Sequence, residues 1–249
     1  MGLLHKLGIA IGGYGPRESS ATLPQGRHTS RTPTGAVIAG PHREREMQET
    51  TRISNGLKEF LWNLEGLGRG NLLDLGPAWQ TTLSFFIERG FRVTSEDILR
   101  GWADFQKKEQ TALQQALNSA ECPEFTPEAL AKRFLAENLQ FGVSSFDALL
   151  LWDVLDYLEP RIAKEMVAHL TEQLRPGAVV LAMFHSKKPE SFHRYRVMDT
   201  HTLQVLESKS IVPAQKVYQN REIQDLFGRF RSMKSFVGRD QLRETLFVK

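Results

Sequence analysis

The segment NLLDLGPAWQTTLSFFIERGFRVTSEDI, Asn71 to Ile98, carries two strand signals on either side of one helix signal. Leu72-Leu73 leads into Asp74 and a turn at Gly76. Trp79, Thr82, Leu83, Phe86 and Ile87 then recur at helical spacing, which predicts one buried helix face. Gly90 stands where a helix C-terminus favours a residue free to take positive φ. Phe91 to Thr94 reads as a second strand ending in Glu96-Asp97. Strand, glycine turn, helix and strand with a terminal acid make the first half of a nucleotide-binding α/β sheet. Asp97 lies 23 residues beyond Asp74, the separation expected of a carboxylate that meets ribose hydroxyls.

Outward from this segment, residues 1–42 are rich in Gly, Pro, Ser, Thr and Arg and poor in large aliphatics. That composition cannot offset chain entropy and predicts a disordered tail, with the folded domain over 43–249. Ile53, Leu57, Phe60, Leu61 and Leu64 form a helical stripe closed by Gly66, Gly68 and Gly70. After Asp97 a helical period runs from Ile98 to Glu121, and a short helical turn from Glu128 to Phe134. Ala148 to Trp152 is a continuous apolar run suited to a parallel strand buried on both faces. Pro160 opens a helix through Ile162, Met166, Leu170 and Leu174. Pro176-Gly177 turns the chain into a further buried strand, Ala178 to Phe184. Beyond it, residues 202–218 alternate like strands or a hairpin, and Asn220 is read as the cap of a helix carrying Ile223, Leu226, Phe227 and Phe230. RSMKSFVG and RETLFVK close the chain as two strands whose short turn permits only antiparallel pairing.

The 249 residues allow one full core with some chain to spare. A single cysteine, Cys122, excludes an internal disulfide framework and suits a reducing, cytoplasmic setting. No apolar run approaches the ~20 residues of a membrane span. The net charge of +3 is unevenly spread: residues 51–184 hold 13 Lys+Arg against 18 Asp+Glu, and 185–249 hold 13 against 7. A basic C-terminal third is either a solvated face or a surface for an acidic substrate. No nucleic-acid-binding motif, Cys/His metal cluster or hydrolase nucleophile motif is present.

In order and spacing, these motifs resemble the class I S-adenosylmethionine-dependent methyltransferases over residues 55–249. LLDLG is similar to the family's first motif and TSEDI to the acidic end of its second strand. FDALLLWDVLDYL resembles the fourth strand, LRPGAVVLAMF the fifth, and REIQDLF, RSMKSFVG and LRETLFVK the last helix and final hairpin. The resemblance implies a Rossmann-like α/β fold: a seven-stranded, mostly parallel sheet with an antiparallel strand near one edge and helices on both faces. One motif departs from the pattern. The family's loop reads D-x-G-x-G-x-G, whereas this chain has Asp74-Leu75-Gly76-Pro77-Ala78-Trp79-Gln80. The second and third glycines, which let backbone approach the ligand without a Cβ in the way, are Ala78 and Gln80.

Carried over by position, the resemblance implies S-adenosylmethionine as cofactor. Asp74 would organise its methionine amino group, and Gly76, with Ala78 beside it, would leave it room. Asp97 or Glu96 would meet the ribose, and Asn138 or Glu137 the adenine. Trp152 and Asp153 would face the reacting methyl. His185, after the fifth strand, is the candidate general base, with His193 and His201 behind it. The methyl acceptor would be a small molecule, and Lys187, Lys188, Arg194 and Arg196 favour an anionic one. The residues also admit plainer roles. Asp74 and Asp97 could cap the turn and helix that follow them, the tryptophans could be core, Asp156 and Tyr157 could lie in a surface turn, and the histidines could be surface residues. The altered loop leaves a second function open, a methyltransferase-fold binding or scaffold protein that has lost its cofactor.

Overall fold

The computed structural model describes residues 49–116, 126–238 and 240–249. The expected disordered tail, the end of the 98–121 helical period, and Cys122 lie outside them. Strands β2 (Gly70–Asp74), β3 (Phe91–Ser95), β4 (Phe146–Trp152), β5 (Leu174–His185), β8 (Ser232–Val237) and β9 (Leu242–Val248) form one sheet in the order β3-β2-β4-β5-β9-β8. The first four are parallel, and β9 runs antiparallel between β5 and β8. The sheet has six strands among the described residues, where seven were expected. Between β3 and β4 the described regular elements are two helices, α3 (Ile98–Ala116) and α4 (Pro127–Asn138).

Period-two alternation sorts the central strands between two cores. Leu73, Leu149, Leu151, Val180, Ala182 and Phe184 face α3, α4, α5 (Pro160–Gln173) and α6 (Asn220–Leu226). Leu72, Ala148, Leu150, Val179, Leu181 and Met183 face α1 (Asn55–Leu64) and α2 (Gln80–Ile87). Burial on both faces explains the unbroken apolar run of β4. On α2 the buried residues are Thr82, Phe85 and Phe86; Ile87, expected inside, is 57% exposed. Gly90 does take positive φ, +88°. Pro176-Gly177, expected as a turn, lies inside the 12-residue β5, with Gly177 at φ +84°. Asn220 is the first residue of α6 rather than its cap, and Gln219 caps it, its N–H donating to Glu222 Oε2 at 2.9 Å.

A second sheet was not foreseen. β1 (Glu49–Ile53), β7 (Thr202–Ser208) and β6 (Phe192–Val197) pair antiparallel in the order β1-β7-β6. Ile53, read as the start of a helix face, ends β1, and Ser54 caps α1 by accepting from Leu57 N–H at 2.9 Å. The β6–β7 turn is closed by Asp199 Oδ1, which accepts from the N–H groups of His201 and Thr202. This hairpin follows β5 and packs beside the carboxyl ends of the parallel strands. Thr82 Oγ1 on α2 accepts from Val197 N–H at 3.0 Å, and Tyr195 and Val197 join the α1–α2 core. Its position decides what the crevice beneath it can hold.

Candidate functional site

Open α/β sheets present ligand crevices at the carboxyl ends of their strands. Here that end gathers Asp74 from β2, Asp97 just after β3, Trp152 and Asp153 at the end of β4, and His185 at the end of β5. Each makes a contact within the chain.

Asp74 is 1% exposed. Its Oδ1 accepts from Gly76 N–H at 3.0 Å and from the Trp152 indole N–H at 2.7 Å. Burial outweighs these hydrogen bonds and raises its pKa to about 6. A register shift between Leu150 and Trp152 ends β4, and Trp152 takes φ +51°, an unusual conformation for a bulky residue. Its indole lies against Gly76: a Cβ there would meet Trp152 Nε1 at 2.7 Å. Gly76 therefore makes room for Trp152, not for open space. The other side of the indole stacks on Tyr195 of β6, with centroids 5.6 Å apart and planes 11° apart.

Asp97 is engaged in the same way. Arg194 of β6 grips it with two contacts of 3.0 Å, Nη1 to Oδ1 and Nη2 to Oδ2. This paired geometry is the strongest arginine–carboxylate arrangement. Asp97 also caps α3, accepting weakly from Arg100 N–H at 3.3 Å. Arg196 places its guanidinium 3.9 Å from the Trp79 ring centroid. Arg194 and Arg196, expected as free cations for an anionic acceptor, are thus turned onto the chain itself. The cavity left between Gly76, Pro77, Leu99, Trp152, Asp153 and Arg194 is about 10 Å³. Ligand pockets begin at ~300 Å³. The residues at the crevice do not fit an S-adenosyl group in this conformation.

Ala78 and Glu96 are exposed and do not line that cavity. Asn138 lies between helices, its amide donating to Phe134 O at 2.9 Å and its Oδ1 facing Gly101. Glu137 pairs with Lys108. The adenine candidates are therefore not brought to the crevice. Outside the Asp97–Arg194 pair is an open groove of about 550 Å³, with Pro77, Trp79, Asp97 and Arg100 on its walls. The Trp79 indole N–H beside it is buried with no hydrogen-bond partner among the described residues.

The second constellation surrounds His185, which is 8% exposed. Asp156, fully buried, accepts on one oxygen from both the His185 backbone N–H, at 2.7 Å, and the ring, with Nδ1 at 2.9 Å. Asp153 Oδ2 lies 3.8 Å from His185 Nε2 and accepts from the Tyr195 hydroxyl at 3.2 Å. Desolvation raises Asp153 to about 6, which the neighbouring imidazole only partly offsets, and raises Asp156 as well. Burial pushes the His185 proton off, but the Asp156 hydrogen bond and the charges of Asp153 and Asp156 outweigh it and raise its pKa. A carboxylate that holds Nδ1 fixes the ring and leaves Nε2 as the working nitrogen, a proton carrier at the rim of a cavity. Sequence reasoning missed Asp156 as the orienting group: it favoured a surface turn for Asp156 and Tyr157, with a pocket position left open. Both are buried in the 3₁₀ turn 154–157. The signal available was the apolar company of Val154, Leu155 and Leu158 around them.

No group of three or more His, Cys, Asp or Glu side chains among the described residues is arranged to hold a metal ion, and no described helix is long and apolar enough to cross a membrane.

No protein-family model matches this chain, and no curated protein does. Solved structures give similarities of fold. One is 1,6-didemethyltoxoflavin-N1-methyltransferase of Burkholderia thailandensis, solved with 1,6-didemethyltoxoflavin and S-adenosylhomocysteine: 18% identity, 79% of each chain covered, TM-score 0.45. A second is magnesium protoporphyrin IX methyltransferase of Synechocystis with bound S-adenosylmethionine: 16% identity, 78% of this chain and 80% of that one, TM-score 0.39. A third is an N-methyltransferase of Bradyrhizobium japonicum: 13% identity, 78% and 93% covered, TM-score 0.40. At these identities and TM-scores the likeness is one of chain path alone. What the crevice can hold follows from this chain's own atoms.

Proposed function

We propose that this chain is a methyltransferase-fold binding or scaffold protein whose cofactor crevice is filled by its own side chains. One observation carries the reading: β6 lays Arg194 on Asp97 and Tyr195 on Trp152, leaving about 10 Å³ where a cofactor would lie. The altered loop agrees with it. With Ala78 and Gln80 in place of glycines, the chain lacks two positions at which backbone approaches a ligand closely. The test is thermal denaturation with and without millimolar S-adenosylmethionine or S-adenosylhomocysteine. A ligand that binds only the native state at 100 times its Kd would stabilise by about 2.7 kcal/mol and raise Tm; with the crevice filled, an unchanged Tm is the expected result.

A second reading is favoured by the groove beside Asp97. In it the chain is an S-adenosylmethionine-dependent methyltransferase acting on a small acceptor, and the β6–β7 hairpin moves aside to expose Asp74 and Asp97. Both acids stand where the family resemblance places cofactor contacts, and the groove already reaches Pro77 and Trp79. This reading requires transfer of a labelled methyl group from S-adenosylmethionine to some acceptor in a small-molecule extract. Loss of the transfer in Asp97→Ala would support it.

A further inference from the structure

A cavity of about 1,020 Å³ opens on the other side of β6, between β1, the 186–191 turn and the β8–β9 turn. Tyr195 and His193 contribute to both walls, so the strand separates this basin from the crevice.

The basin is at the upper end of the size range of small-molecule sites, ~300–1,000 Å³. Its charges divide into committed and free. Arg52 is held by Asp240, at 3.0 Å, and by the buried Glu244, at 2.9 Å, so two carboxylates share one guanidinium, and burial raises the pKa of Glu244. Lys187 and Lys188 are exposed on the turn and make no ion pair among the described residues, and Glu190 is the one wall carboxylate in the same condition. His193 is half-buried, with its pKa lowered by desolvation and then by His185. His185 lines the basin with Nδ1 committed to Asp156; its Nε2 makes no hydrogen bond among the described residues, Asp153 Oδ2 lying 3.8 Å away, at charge-pairing distance only. Among the charged lining side chains Arg52, Lys187 and Lys188 stand against Asp240 and Glu190, and the two ammonium groups are the cations free of an ion pair among the described residues, which favours a ligand of negative charge. Their gathering on the walls of one concavity, and not along a stripe, favours a small ligand over a polymer.

We propose that this basin binds a small polyvalent anion, a phosphate ester or a polycarboxylate, through Lys187, Lys188 and the Nε2 edge of His185. Ammonium groups supply the attraction, and the imidazole, held by Asp156, supplies a directional donor.

Calorimetry on the full chain at low ionic strength tests this, with pyrophosphate as the phosphate probe and citrate as the carboxylate probe. The expected result is one-site, saturable binding of at least one probe with Kd at or below ~1 mM, weakened at least tenfold in the double variant Lys187→Ala/Lys188→Ala. Both lysines are exposed, so that variant keeps the fold. Whichever probe binds tighter identifies the ligand class, and its saturation should shift the His185 ring resonances in NMR. Absence of saturable heat for both probes at ~10 mM would overturn the proposal. So would affinity unchanged in the double variant, or binding that leaves the His185 resonances in place.

Discussion

Two cavities flank β6, and they contrast in how the chain uses its polar groups. On one side Asp74, Trp152, Tyr195, Asp97 and Arg194 are engaged with one another, and about 10 Å³ remains. On the other, Lys187, Lys188 and His185 Nε2 keep unused donors around about 1,020 Å³. Both sit at the end of the sheet where open α/β folds bind ligands. The difference teaches that the position of an acid at a strand end says where a ligand could go, while the partners of that acid say whether it still can. Asp97 stands in its expected place, but its hydrogen-bonding capacity is directed at Arg194.

The largest way to break the contrast is to remove the plug. Trp152→Ala deletes an indole that is 5% exposed, and should lower stability by about 3–5 kcal/mol, measured by urea unfolding at pH 7. A loss below ~1 kcal/mol would mean that the crevice collapses or hydrates without cost, and that Trp152 is not what closes it.

A sharper probe uses pH. Asp74 has a folded pKa of about 6 against 3.8 for the ordinary group, so its ionised form is the one the fold disfavours. The associated stability is fully present below the unfolded value and is lost as pH rises through about 6. Asp153, also about 6, acts over the same range, whereas His185, whose pKa is raised above the ordinary 6.5, loses its contribution only at higher pH. Unfolding free energy should therefore fall between pH 4 and pH 7. Asp74→Asn keeps an acceptor for Trp152 and Gly76 and removes one charge, so it should flatten part of that fall and raise stability at pH 7 by roughly 2 kcal/mol. An Asn variant less stable than wild type at pH 7 would show that the carboxylate is stabilised as an anion.

Smaller effects test the two remaining pairs. Arg194→Ala should cost only about 1 kcal/mol in urea unfolding, because Asp97 is 23% exposed in its side chain and can rehydrate. On the basin side, Asp156→Asn should leave His185 with a lower pKa than wild type, followed by NMR titration of the ring. An unchanged midpoint would mean that Asp153 alone sets it.

Much of this contrast was beyond the sequence. The parallel strands, the glycine turn and the final hairpin were legible because local pattern decides them: Leu72-Leu73, the apolar run to Trp152, and Gly90 each obey a short-range rule. The seventh strand implied by the family resemblance had no run of residues of its own in the sequence and is not found in this sheet among the described residues. The β1-β7-β6 sheet was missed because β6 reads FHRYRV, whose arginines look solvent-facing. They become partly buried partners only when Asp97 and the Trp79 ring arrive from far away in the chain. His185 could be named from its place after a strand, but its orientation comes from Asp156, 29 residues earlier, through a contact that no spacing rule announces.

The most direct measurement is isothermal calorimetry with S-adenosylhomocysteine on the wild type and on Arg194→Ala. No measurable binding is expected in the wild type, because Arg194 and Trp152 occupy the crevice. At most weak, millimolar binding is expected in the variant, since Trp152 still covers Gly76. Micromolar binding by the wild type would contradict a filled crevice and return the chain to the methyltransferase reading.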